Sequence, residues 1–253
     1  MSWATRRRTA ILIIVGAVVL AAAAVILIAA LYEAPTCTDQ KMDGDETGID
    51  CGGTCALLCS ADALAPKVTF TRALSPAPGR TDVIAYIDNQ NPSSGVEDAR
   101  FTVSLYGPDG ILVASEQGTV DLPPHASVPV YVPDFFSGNQ PVARAFLVLD
   151  PASLQWMKYS SDRVKLATSY ELADEETAPR ITAAITNPSA VPLYDVKVIA
   201  TAFGADGNAI AASQTIVPQV PAAGSAVATF TWNAPFGAAV TRVDILPVLP
   251  LAP

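Results

Sequence analysis

The chain has 253 residues, 51% of them apolar and 15% charged, with 15 Lys and Arg against 24 Asp and Glu, one His, four Cys and 21 Pro. Arg6, Arg7 and Arg8 precede every acidic residue, so residues 33–253 carry 12 basic and 24 acidic side chains, a net charge of −12. A body this acidic repels a phosphate backbone, which excludes nucleic acid as a partner, and abundant proline with few charges argues against a helical bundle.

Residues 10–32, AILIIVGAVVLAAAAVILIAALY, carry no charge. At about 1.5 Å per residue they make roughly 35 Å of helix, enough to cross a hydrocarbon core of about 30 Å. Arg6–Arg8 on one flank and Glu33 on the other orient the helix by the positive-inside rule. Residues 1–9 then form a cytoplasmic tail, everything after residue 33 lies outside, and Trp3 and Tyr32 suit the two interfaces. A cleavable signal peptide shares the basic start, but its apolar core normally runs to only about 7–15 residues before a small-x-small site. A retained signal anchor is therefore the better reading, although Ala29-Ala30 before Leu31 leaves a weak cleavage site. No Cys follows closely enough for a lipobox, and the prepilin junction is missing.

All four cysteines fall just beyond this segment, as Cys37-TDQKMDGDETGID-Cys51-GGT-Cys55-ALL-Cys59. An even number outside the cytoplasm reads as two disulfides with three pairings open. A zinc site is the rival, disfavoured by the x3 spacings and the lack of a nearby His. Asp43, Asp45 and Asp50 place carboxylates around Gly44 and Gly48 in the way a loop wraps calcium, but no bidentate Glu closes the loop and a solvated acidic turn explains the same residues. The string Asp43-Gly-Asp-Glu-Thr-Gly-Ile-Asp-Cys-Gly-Gly-Thr-Cys55 resembles a recurrent cysteine motif of bacterial surface and secreted proteins, with Asp43 where Asn is usual and Ile49 where Val is usual. That resemblance, over about two dozen residues, implies a surface-exposed module and no reaction.

The rest of the chain repeats itself with a period of about 97 residues. Asn91-Pro92 aligns with Asn187-Pro188, Tyr106-Gly-Pro-Asp-Gly110 with Phe203-Gly-Ala-Asp-Gly207, and Val142–Val148 with Val240–Leu246. Each copy reads as strands: Phe101, Val103 and Leu105 alternate with Thr102 and Ser104, as Val196, Val198 and Ala200 do in the second copy. Asp109-Gly110 and Asp206-Gly207 supply hairpin turns, and the Asn-Pro steps end the preceding strands. About seven short strands per copy, without cysteine, fit an immunoglobulin-like β-sandwich held by packing alone. Phe101-Thr-Val-Ser-Leu-Tyr106-Gly-Pro-Asp-Gly110 resembles the FxLYD-type extracellular domain of bacterial surface proteins, with fibronectin-III-like and CARDB-like sandwiches close in pattern. The second copy has Val198 and Phe203 at the Phe and Tyr positions. The resemblance implies non-catalytic modules. Between the copies, Trp156 is expected to plug the joint between the sandwiches, Trp232 to be core or sheet surface, and Glu171, Asp174, Glu175 and Glu176 to form a solvated loop.

No catalytic constellation is legible. His125, the one available base, sits in a Pro-rich turn, Leu122-Pro-Pro-His125-Ala-Ser127, and no nucleotide-binding glycine motif occurs. The expected fold is all-β with an N-terminal transmembrane helix: tail 1–9, helix 10–32, cysteine-rich stem 33–64, immunoglobulin-like sandwich 65–152, linker 153–162 and a second sandwich 163–250. The expected function is that of a single-pass, non-enzymatic interaction or structural protein displayed outside a bacterial cell, needing no cofactor and binding a protein or cell-surface ligand. Two rivals are an accessory subunit of an envelope transport or secretion complex and a calcium-stabilised surface module.

Overall fold

A computed structural model describes residues 3–32, 34–159 and 164–251. The chain divides into two compact units, Met1–Thr54 and Cys55–Pro253. Glu33 and residues 160–162 of the expected linker lie outside the described residues.

In the first unit, α1 spans Trp3–Leu31. It begins seven residues before the uncharged run, because Ala4 and Arg6–Arg8 are good helix formers and nothing among them interrupts the backbone ladder. From Ile11 to Leu31 its large apolar side chains are exposed on every side. A helix apolar all round needs an apolar environment. Residues 34–54 form no helix or long strand; one isolated bridge joins Gly48 to Cys51. All four cysteines of the chain are disulfide-bonded, which removes thiolate ligands for zinc. With the apolar helix, this marks a membrane-anchored or secreted protein.

The second unit is all-β. Its strands are β1 (Lys67–Ala77), β2 (Arg80–Asn89), β3 (Ser94–Tyr106), β4 (Leu112–Leu122), β5 (Ala126–Ser137), β6 (Arg144–Leu149) and β7 (Met157–Lys158). The second copy supplies β8 (Ala167–Ala173), β9 (Arg180–Asn187), β10 (Leu193–Phe203), β11 (Ala209–Val220), β12 (Gly224–Thr231) and β13 (Arg242–Val248). Sheets β1-β2-β5 and β4-β3-β6 of the first copy match β8-β9-β12 and β11-β10-β13 of the second strand for strand. Each copy is thus a sandwich of six principal strands, all antiparallel. Backbone detail repeats as well: Asp98 and Asp195 share a positive φ of 50°, and His125 and Ala223 occupy one turn position at φ 48° and 47°.

Each sandwich encloses its own core. Val83, Ala85, Ile87, Phe101, Val103 and Leu105 alternate inward in the first, and Ile181, Ala183, Ile185, Val198, Ala200 and Phe230 in the second. Trp156, 3% exposed, joins the first core and does not plug the joint. The segment read as a linker is partly a strand: β7 pairs with β3 through Gly95–Met157 and Ser94–Lys158. Residues from Cys55 onward belong with the sandwiches, held by Leu58 N donating to Trp156 O, Lys158 N donating to Ala56 O, and Asn91 exchanging two hydrogen bonds with the Leu64 backbone.

The joint is a third core. Leu74, Ile84 and Tyr86 on the outer face of β1-β2-β5 pack with Ile199, Phe203, Ala209 and Ala212 on the outer face of β11-β10-β13. This explains why β2 is buried on both faces along most of its length.

Candidate interaction surfaces

The neck loop uses its motif residues to hold turns. The Glu46 carboxylate accepts from Asp43 N at 3.4 Å and Asp50 N at 3.2 Å, Asp50 accepts from Gln40 N at 3.0 Å, and Asp45 Oδ1 accepts from Thr54 Oγ1 at 2.9 Å. Gly52 and Gly53 have φ of +81° and +49°, and a Cβ on Gly53 would sit 2.1 Å from the Asp45 carbonyl oxygen. Asp43, Asp45 and Asp50, read as calcium ligands, do not form a set of oxygens all within 4.8 Å of one another. One feature does fit a cation: Asp43 Oδ1 is buried with no hydrogen-bond partner.

His125 stands exposed on its turn, its backbone N–H donating to Asn91 O at 2.9 Å. The charged group the sequence left unread is Asp82, 1% exposed. Its carboxylate accepts from Arg80 Nε at 2.9 Å and Nη2 at 3.2 Å, from Asp134 N at 2.9 Å, and from the Tyr131 hydroxyl. Four donors satisfy the charge. The Asp82 hydrogen bond holds the Arg80 guanidinium above its ordinary pKa, and burial raises the Tyr131 phenol, with Asp82 adding to the shift. Asp82 lines a narrow cleft at one rim of the joint together with Leu74, Pro76, Trp232, Pro235 and Phe236. Trp232 is half-buried against the second core and meets Phe236 edge to face at 5.0 Å. At another rim, Asp98, Asp121, Asp195 and Lys197 border a shallow groove, where Asp121 is already used by the N–H groups of Asp98 and Leu251.

Inside the joint, Phe70 stacks on Tyr86 at 4.8 Å and meets Phe203 edge-on at 6.0 Å. The Tyr86 hydroxyl donates to the buried Thr201 Oγ1 at 3.1 Å, and burial pushes the Tyr86 phenol well above its ordinary pKa. Arg242 caps Phe203 at 3.9 Å, and Arg72 reaches Asn208 at 3.2 Å. The sheet faces left outside the joint differ in character: on β4 and β6, Leu112, Phe146 and Val148 are exposed.

The chain matches no protein-family model and no curated protein. A structure of red sea bream transglutaminase is similar over 74% of this chain and 30% of its own, at 15% identity and a TM-score of 0.25. This chain therefore spans about a third of that protein.

Proposed function

We propose that this is a membrane-anchored extracytoplasmic interaction protein without catalytic activity: a tether, a disulfide-bonded neck and a two-domain body that presents its sheet faces and loops to a partner. The observation that carries the reading is the buried joint. Two sandwiches locked by Phe70, Tyr86 and Phe203 make a rigid presenter, since an aromatic core closed by a buried hydroxyl pair resists hinge motion. The polar groups buried in it are spent on structure: Asp82 on four donors, Tyr86 on Thr201. The apolar α1 and the bonded cysteines support residence at a membrane on its oxidising side, with residues 1–9 cytoplasmic by the positive-inside rule. Likeness to FxLYD-type domains and to the bacterial surface cysteine motif supports the same class. Crosslinking the full chain in its native membrane, after an alkaline carbonate wash, tests the proposal. Retention in the membrane with a crosslinked protein partner is expected; release by carbonate, or hydrolase activity of the purified chain abolished by His125→Ala, contradicts it.

The orphaned Asp43 Oδ1 favours a second reading, a neck stiffened by calcium, in which Asp45 and Asp50 give up present hydrogen bonds to join Asp43. Calorimetric titration of the full chain in detergent with calcium chloride checks it. Heat that disappears in Asp43→Asn supports the cation, and no heat at millimolar calcium removes it.

A further inference from the structure

The two copies part company after their last strand. Arg144 and Arg242 pair with the last residues of β3 and β10, Tyr106 and Phe203, so Leu149 at the end of β6 corresponds to Pro247 in β13. In the first copy the chain then turns back onto its own sandwich, with Asp150 N donating to Arg100 O at 2.8 Å and Trp156 buried in the first core. In the second copy it crosses to the other sandwich. Val248 packs against the joint core and Leu249 against the second core, and Leu251, 3% exposed, donates its backbone N–H to Asp121 Oδ2 of the first sandwich at 2.9 Å.

The receiving group is particular to that landing point. The amides of Asn89 and Asn187 donate to Leu122 O and Val220 O, which makes these corresponding residues and puts Gln219 in the second copy where Asp121 stands in the first. Asp121 Oδ1 also accepts from Asp98 N at 3.0 Å, so one carboxylate ties the crossing segment to β3. Pro247 and Pro250 bracket Val248 and Leu249 and restrict the freedom that the segment loses when it docks. The backbone between Val248 and Leu251 reaches at most about 11 Å when fully extended. Leu251 must therefore leave its seat before the sandwiches swing wide apart, and while both hold, the joint and the crossing segment each raise the effective concentration of the other.

We propose that Val248–Leu251 is a latch on the joint: seated, it holds the two sandwiches as one rigid body, and withdrawn, it frees them to open along Phe70, Tyr86 and Phe203. The latch presupposes the buried joint of the interaction reading and deepens that reading by naming the segment that sets its stiffness.

Hydroxyl-radical footprinting of the full chain in detergent, read by mass spectrometry, tests it with Leu251→Asp, which puts a charge on a buried residue bonded to the Asp121 carboxylate. Oxidation of Tyr86 and Phe203 in the joint should rise about threefold or more, while Phe101 and Phe230 in the separate cores stay as in the parent. Unchanged oxidation of Tyr86 and Phe203 overturns the latch, since the segment then frays without loosening the joint. Where Phe230 becomes exposed as well, Leu251→Ser decides by the same comparison. A parent chain whose Tyr86 reacts as fast as the exposed Tyr194 overturns the buried joint itself, and with it the rigid presenter.

Discussion

Asn89 and Asn187, 2% and 0% exposed, do one task in the two copies. Each donates its side-chain amide to three carbonyls: Ser94, Leu122 and Pro123 for Asn89, and Val191, Val220 and Pro221 for Asn187. Each thereby pins the loop after its strand to a distant turn. The sequence alignment put Asn187 against Asn91, because both precede proline; the hydrogen bonds put it against Asn89. A dipeptide match carries no register, whereas three carbonyl partners do. Asn89→Ala and Asn187→Ala should each cost about 2–3 kcal/mol by leaving buried carbonyls unpaired. Urea unfolding should give similar losses for the two, and a loss under 0.5 kcal/mol in either would remove the shared role. Tyr86 sets a second expectation at this scale. Its phenol is raised by burial in the fold and ionises near pH 10 when unfolded, so folding stability is present in full below about pH 10 and falls as pH climbs above it. Melting of Tyr86→Phe should be lower at neutral pH by the lost hydrogen bond yet fall less steeply between pH 10 and 11.

Among the elements, the strands were legible because alternation is a local signal: Phe101, Val103 and Leu105 point inward as the pattern required. The apolar helix was legible too, except its start, where Arg6–Arg8 extend a helix that hydropathy alone begins at residue 10. The neck was legible only as a set of residue types. Its acidic residues suggested an ion, while in the fold Glu46 and Asp50 accept backbone N–H groups, a use that no spacing rule separates from metal binding. The glycine pair gives this element its sharpest test. Gly53→Ala meets the Asp45 backbone at 2.1 Å and an unfavourable φ, so the loop must open. Alkylation before mass spectrometry should find free thiols in Gly53→Ala and none in the parent. Gly79→Ala is the control: it shares a positive φ, has no neighbour within 3.7 Å, and should cost about 1 kcal/mol with all disulfides intact.

At the scale of the whole molecule, the joint was illegible. Tyr86 and Ile84 lie on the outward side of their strand, where alternation predicts solvent, and Trp156 drew attention as the largest apolar group between the copies. Only the stacking of one sheet on another turns outward residues into core, and no single-chain pattern announces which faces will meet. Phe203→Ala should cost about 3–5 kcal/mol and uncouple the sandwiches, splitting one calorimetric transition into two. A single unshifted transition would deny the joint its role. The proposed function puts the neck and both sandwiches outside a membrane that the chain does not leave. All five lysines, at positions 41, 67, 158, 165 and 197, follow the apolar helix, so an impermeant amine reagent on intact cells reads their side directly. Lys41 and Lys67 should be labelled without lysis, on a chain that survives a carbonate wash in the membrane. Labelling that appears only after lysis, or a chain washed free, would contradict it.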